Sequence, residues 1–300
     1  MSANLCLQLL TVVGCLLPAA LSSDSMADTC EGDLTPLAQA RAIGRDKPAV
    51  SKKKGGEFEG HLFWDRHEAL FHKAWSSYPP LHPELYRYDE AWRRRFIPAN
   101  LQAAVDVAAV DEGPLRSLLG ESPAVAGVHT TQEPFGLFTS EFCSMLLEEL
   151  EHRSAAGIPL RRPNGMNRFG CILDDIGFKA VFDGVVRDYV RPLAEMLYPQ
   201  HIAAGDASQH YAFTVEYGQR PGGGGTERQA KQEAADFDVD LHEHRDASVA
   251  TLNVCLGEGN FTGGTLRFRA DDVNARGEPG WGGSGQDNSI GGGEIFMMPG

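Results

Sequence analysis

The 300-residue sequence has no C-x-x-C, no H-E-x-x-H and no excess of basic residues, and each absence closes a class of function. Without C-x-x-C there is no zinc ribbon and no thioredoxin-like redox pair. Without H-E-x-x-H there is no zincin helix. Forty-one Asp and Glu against 27 Lys and Arg leave a net charge of -14, so the basic surface that nucleic acid or an anionic membrane requires is missing. Nor do the acids make an EF-hand: a loop starting at Asp236, Asp238 and Asp240 needs Gly and Glu where Leu241 and Ala247 stand.

Cysteine is sparse. Cys6 and Cys15 lie in the apolar N-terminus, while Cys30, Cys143, Cys171 and Cys255 are too scattered to mark a cluster. Cys143 falls mid-helix and Cys255 mid-strand, where a small buried filler is the expected role, and no disulfide is predicted. The apolar run Leu5 to Leu21 is interrupted by Gln8 and Pro18, is short for a membrane span of about 20 residues, and ends at Ser22-Ser23. Residues 1–23 are therefore expected to be a secretory signal peptide, although no Lys or Arg precedes the run. An uncleaved N-terminal anchor is the alternative. The expected compartment is the secretory pathway or endoplasmic reticulum lumen, with the cytoplasm as the alternative.

What is present is ordinary for a folded domain: 42% hydrophobic and 23% charged residues. Residues 24–60 are polar and aperiodic and read as a flexible linker, in which Lys52-Lys53-Lys54 is a solvated charge run. Residues 61–133 form a helical, aromatic-rich region that includes Phe63, Trp64, Phe71, Trp75, Trp92 and Phe96, broken by Pro79-Pro80 and Pro83. These rings suit either a substrate platform or helices packing on a sheet.

From residue 134 onward the pattern changes. Thr139 or Ser140 caps a predicted helix to about His152, with Phe142, Met145, Leu146 and Leu150 on one face. A second helix is predicted from about Lys179, kinked at Pro192. His210 to Tyr217 alternates as a strand, with Tyr211, Phe213, Val215 and Tyr217 on one face. The stretch Gly218 to Ala235 reads as a surface insertion, placed where a lid would act.

The chemistry concentrates in LHEHRDASVATLNVCLGEGNFTGGTLRF, Leu241 to Phe268. His244 and Asp246 are two apart, so on a strand both side chains point the same way and can approach one cation. An imidazole and a carboxylate make two-thirds of a facial triad for non-haem Fe(II). His242 shares that parity but stands about 13 Å from Asp246 on a straight strand, too far for comfortable ligation of the same ion. Leu252, Val254 and Leu256 form one face of the next strand, and Thr251, Asn253 and Cys255 the other. Strict parity puts His244 and Asp246 on the apolar face, while one bulge across 247–250 would reverse this, so the face that lines the pocket stays open.

These linked motifs, H-x-D, T-L-N-V-x-L-G and F-T-G-G-x-L-x-F, resemble the core of the Fe(II)/2-oxoglutarate dioxygenases of the prolyl 4-hydroxylase and lysyl hydroxylase type. The closer likeness is to the 2-oxoglutarate and iron-dependent oxygenase domain-containing proteins. The resemblance extends through PFGLFTSEFCSMLLEELEH, RPNGMNRFGCILDDIGF and RPLAEMLYP. It implies an α+β fold, a double-stranded β-helix (jelly-roll, cupin-like) barrel flanked by helices, in a dioxygenase domain over residues 134–300. It also implies that Fe(II) is held by His244 and Asp246, with the second iron-binding His expected beyond Gly300. Tyr217, Thr251 and Asn253 are the implied contacts to the co-substrate 2-oxoglutarate.

The implied reaction hydroxylates an unactivated C–H, peptidyl Pro or Lys among the family-level substrates. O2 and 2-oxoglutarate are consumed, succinate and CO2 are released, and L-ascorbate serves as reductant. The expected partner is a peptide or small-molecule substrate, with no nucleic acid and no integral membrane domain unless the N-terminal run stays as an anchor. Two other readings are open: a catalytically incomplete barrel acting as a binding module, and a metal-dependent cupin enzyme that does not use 2-oxoglutarate.

Overall fold

The computed structural model describes residues 4–13, 35–45, 56–121, 129–131, 136–199, 201–202, 208–217, 246, 248, 250–256, 266–268, 272–273, 279–280, 286–288 and 295–299. A strand, β1 (Asn4–Val13), comes first, followed by α1 (Pro36–Gly44), α2 (Gly56–Ser77), α3 (Glu90–Phe96), α4 (Ala99–Ala108) and α5 (Gly113–Ser117). Two short strands, β2 (Leu119–Glu121) and β3 (His129–Thr131), lead to α6 (Ser140–Ala155), α7 (Lys179–Val185) and α8 (Arg191–Leu197). The remainder is strand: β4 (Ser208–Tyr217), β5 (Ala250–Cys255), β6 (Leu266–Phe268), β7 (Asp272–Val273), β8 (Pro279–Gly280), β9 (Gln286–Asn288) and β10 (Ile295–Pro299).

Six strands form one sheet in the order β2-β3-β10-β5-β1-β4, while β6 pairs β9 and β7 pairs β8 as separate ribbons. Among the described residues these strands do not close into a barrel. The apolar run expected to be a leader supplies β1, antiparallel to both β4 and β5.

Of the linker expected over 24–60, residues 24–34 and 46–55 lie outside the described residues, and the described part is helical. Thr35 caps α1 by accepting from the Ala38 N–H, Pro36 pre-sets its first turn, Ala40 is fully buried, and Arg41 Nε donates to the Ala156 carbonyl at 2.6 Å. Nine residues are too few for a hydrophobic period to stand out, which is why the composition read as linker. The helix α2 also begins inside that stretch, at Gly56.

Thr139 caps α6 as expected, its hydroxyl accepting from the Phe142 N–H at 3.3 Å. The second predicted helix is divided. Val186–Val190 forms a π-turn between α7 and α8, and the Arg191 N–H closes on the Val186 carbonyl. Pro192 has no N–H to continue the i→i−4 ladder, and the wider turn just ahead of it absorbs the mismatch.

One core joins the two regions separated at residues 133 and 134. Trp92, Phe96, Phe142 and Phe182 lie in the same buried cluster as Leu252 and Val254 of β5. The aromatics of residues 61–133 thus serve packing: Trp92 and Phe96 each meet Phe142 edge-on, at 5.4 and 5.5 Å. Within this core Glu149 and Arg153 form an ion pair at 2.7 Å with side chains 0% and 3% exposed. Glu149 also accepts from the His82 N–H and the Tyr86 hydroxyl, and the Arg153 guanidinium lies over the rings of Trp75, Tyr78 and Tyr86. The pair pins α2 and the 3-10 turn Pro83–Tyr86 to α6.

Candidate functional site

Register decides which side chains share a face. Leu9 lies opposite both Ala212 and Leu252, and Gln8 opposite both Phe213 and Asn253. Directly opposed residues in antiparallel pairs point to the same side. One face therefore carries Ala212, Leu252 and Val254 into the helical core. The other carries Tyr211, Phe213, Val215 and Tyr217 of β4 together with Thr251 and Asn253 of β5.

Asp246 joins that second face. Thr251 Oγ1 donates to Asp246 Oδ2 at 2.6 Å, and the Ser248 hydroxyl meets Thr251 Oγ1 at 2.8 Å. Thr251 and Ser248 are buried, at 0% and 4% exposure, so this carboxylate rests on a packed hydroxyl pair. Strict alternation would have put Asp246 with Leu252, so parity is broken between Asp246 and Thr251. The question left open by the sequence is resolved for the carboxylate: it lies on the polar face. His244 lies outside the described residues, as do His242, the 218–235 insertion and the Asp236, Asp238 and Asp240 run.

The three residues singled out for the co-substrate share the face but stand at different levels. Thr251 lies at the level of Leu10, Asn253 at Gln8 and Tyr217 at Asn4. Six positions separate the ends, about 20 Å along the strands, with Asn253 between them. Phe213 and Val215, 1% and 3% exposed, make an apolar wall between Tyr211 and Tyr217.

A segment that the sequence marked only by resemblance, with no role given, frames the Tyr217 end. The Phe169 carbonyl accepts from the Glu216 N–H at 3.2 Å, the Cys171 carbonyl from the Thr214 N–H at 2.9 Å, and the Leu173 N–H donates to the Ala212 carbonyl at 2.9 Å. Residues 169–173 thus lie antiparallel along the edge of β4, with a single bridge between Ile172 and Phe213. Gly170 has φ +115, and a Cβ there would lie 1.9 Å from the Thr214 carbonyl oxygen, so only glycine lets the two backbones approach. Ahead of it, Tyr211 donates to the Pro163 carbonyl at 2.7 Å, and Asn167 Nδ2 donates to the Tyr217 hydroxyl oxygen at 3.0 Å. The signal that could have found this loop is N-x-x-N beside Pro163 and Gly165, a turn signature in which an Asn side chain folds onto following backbone.

Burial sets the electrostatics around this loop. It pushes the Tyr211 phenol up to about 12 and raises the Glu216 carboxyl. Burial also pushes the Cys171 thiol up to about 12, against a hydrogen bond from Thr214. Among the described residues Cys143, Cys171 and Cys255 are free thiols; Cys171 is buried, whereas Cys143 and Cys255, expected as buried fillers, are only half-buried.

A cavity of about 350 Å³ elsewhere is lined by Asp183, Val186, Arg187, Arg191 and His210. Its charges are mutually satisfied: Asp183 pairs with Lys179, Arg187 with Asp188, Arg191 with Glu195, and His210 lies between Asp174 and Asp183. Each of its charged side chains is engaged by a neighbour, and the sheet face remains the candidate. A carboxylate oriented by a buried hydroxyl suits a hard divalent cation, and the neighbouring hydroxyl and amide suit a small polar anion.

Comparison with known proteins gives the same direction. Residues 75–203 match the OGFOD2-like domain family. The chain is 36% identical over 208 residues to 2-oxoglutarate and iron-dependent oxygenase domain-containing protein ICU11 of Arabidopsis thaliana, covering 68% of this chain and 45% of that protein. It is 32% identical over 223 residues to 2-oxoglutarate and iron-dependent oxygenase domain-containing protein 2 of Xenopus tropicalis, covering 74% and 55%. Procollagen-lysine,2-oxoglutarate 5-dioxygenase 1 of Gallus gallus is 27% identical over 194 residues, 62% of this chain and 22% of that protein. The matched stretch spans about half the length of the first two relatives.

Proposed function

We propose that this relative of the 2-oxoglutarate and iron-dependent oxygenase domain-containing proteins contributes to an Fe(II)- and 2-oxoglutarate-dependent dioxygenase that hydroxylates an unactivated C–H. The observation that carries the reading is the Asp246 carboxylate held by Thr251 on the same sheet face as Asn253 and Tyr217. On this reading the sheet is one wall of a double-stranded β-helix. His244 and Asp246 would hold the metal. When bound, Fe(II) supplies the coupling of O2 reduction to 2-oxoglutarate decarboxylation.

The residues divide the work by level along the strands. Thr251 fixes which way Asp246 points, so the ligand does not swing when the site fills. Asn253 and Tyr217 would supply polar contacts to the co-substrate on that face. Phe213 and Val215 exclude water from the space between, which strengthens each polar contact there. A peptide bearing Pro or Lys is the proposed substrate class, L-ascorbate the proposed reductant and the secretory lumen the proposed compartment.

The test is succinate release by the full-length protein with Fe(II), 2-oxoglutarate and ascorbate. His244→Ala is expected to abolish it while leaving the folded state intact by circular dichroism. Undiminished turnover in that variant would falsify the metal assignment.

A further inference from the structure

The loop before β4 fixes the direction of one hydrogen bond. Asn164 Oδ1 accepts from the Met166 and Asn167 N–H groups, both at 2.8 Å. Two backbone donors on that oxygen leave Asn164 Nδ2 only one orientation, and it donates to Asn167 Oδ1 at 3.1 Å. Asn167 is in turn fixed: its oxygen is the acceptor and its Nδ2 is the donor, aimed at the Tyr217 hydroxyl oxygen at 3.0 Å. Asn167 is 2% exposed, so its amide cannot turn to water instead. A phenol that accepts from an amide N–H cannot give its own proton to the same group. The Tyr217 proton is therefore presented away from Asn167.

We infer that Asn167 is a positioning residue for co-substrate binding, setting the Tyr217 hydroxyl as a hydrogen-bond donor toward a carboxylate of 2-oxoglutarate. The inference rests on the proposed contact between Tyr217 and 2-oxoglutarate, and extends it to a residue inside the OGFOD2-like segment. It also gives that segment a role in the site: the helical region delivers the loop, and the loop orients a side chain on the sheet.

The experiment measures 2-oxoglutarate binding to the Mn(II)-loaded, full-length protein by calorimetry without O2, for Asn167→Ala, Asn167→Asp, Tyr217→Phe and the Asn167→Ala/Tyr217→Phe pair. Losing a hydrogen bond to a charged group weakens binding about ten-fold or more, and that is expected for Tyr217→Phe and Asn167→Ala alike. Asn167→Asp should weaken it further, since a carboxylate there captures the phenol proton and adds like charge. Mn(II) affinity should be unchanged in all. In the Tyr217→Phe background, Asn167→Ala should cost no more than about two-fold, because the path runs through the phenol.

Each other outcome is decisive. If Tyr217→Phe weakens binding and Asn167→Ala does not, the inference fails and the co-substrate contact stands. If Asn167→Ala weakens binding equally with and without the phenol, its role is packing and the inference fails. If Tyr217→Phe leaves binding unchanged, the proposed contact fails and takes the inference with it. Asn167→Ala adds no buried charge, so it remains readable should Asn167→Asp not fold.

Discussion

Thr251 is fully buried yet polar, a placement that persists only when the hydroxyl is satisfied, and here it bridges Ser248 and Asp246. Valine has the same shape without the hydroxyl. Thr251→Val should therefore lower affinity for Mn(II), used in place of Fe(II), by roughly 10- to 100-fold, the range for lost outer-shell partners of metal ligands. Thr251→Ser should hold affinity near wild type. A titration in which Val and Thr bind equally would remove Thr251 from the support of the site. At this scale Asp246 was singled out by the H-x-D spacing and Tyr217, Thr251 and Asn253 by resemblance, and the structure puts these four on one face of the sheet. Asn167 and Ser248 could not be singled out, because a hydrogen bond across 50 positions, as from Asn167 to Tyr217, leaves no local period.

Among the elements, the strip 169–173 along β4 depends most on a single residue. Gly170→Ala would drive a Cβ into the Thr214 carbonyl and demand a left-handed backbone from alanine. Either the strip peels from β4 or the sheet edge shifts. The expected loss is about 3 kcal/mol or more, read as a lower urea midpoint with an unchanged slope. A loss below about 0.5 kcal/mol would mean that the strip contributes little. Long elements were legible for a plain reason: the cap of α6 and the alternation of β4 are repeated signals within one segment. The helix α1 and the strip 169–173 were not, because each is short and owes its form to what it packs on. The division of the second helix at a π-turn is an intermediate case, since Pro192 announced a disturbance without specifying its form.

For the whole molecule, the Glu149–Arg153 pair is the fastening between α2, the Pro83–Tyr86 turn and α6. Removing one buried charge strands the other, so Arg153→Met should cost about 3–5 kcal/mol, while the paired Glu149→Leu/Arg153→Met should cost less. Burial opposes ionisation of Glu149, but the His82 N–H, Arg153 and Tyr86 outweigh it and hold its carboxyl below the ordinary 4.5. A carboxyl depressed in the folded state stabilises above its ordinary value, and that stabilisation is lost as pH falls through the folded value. Melting temperature should accordingly fall more steeply below about pH 4.5 in wild type than in Glu149→Gln. Parallel curves would show that Glu149 is not the group responsible.

The strip 169–173 has a bearing on how the protein behaves in a concentrated solution. An open β4 edge would be a template on which another molecule's strand could build, and the strip occupies it with backbone from the same chain. The species at risk of self-association is then the partly opened one, in which 162–173 has lifted while the sheet persists. Conditions that loosen this loop first should produce aggregates well before the helical core melts.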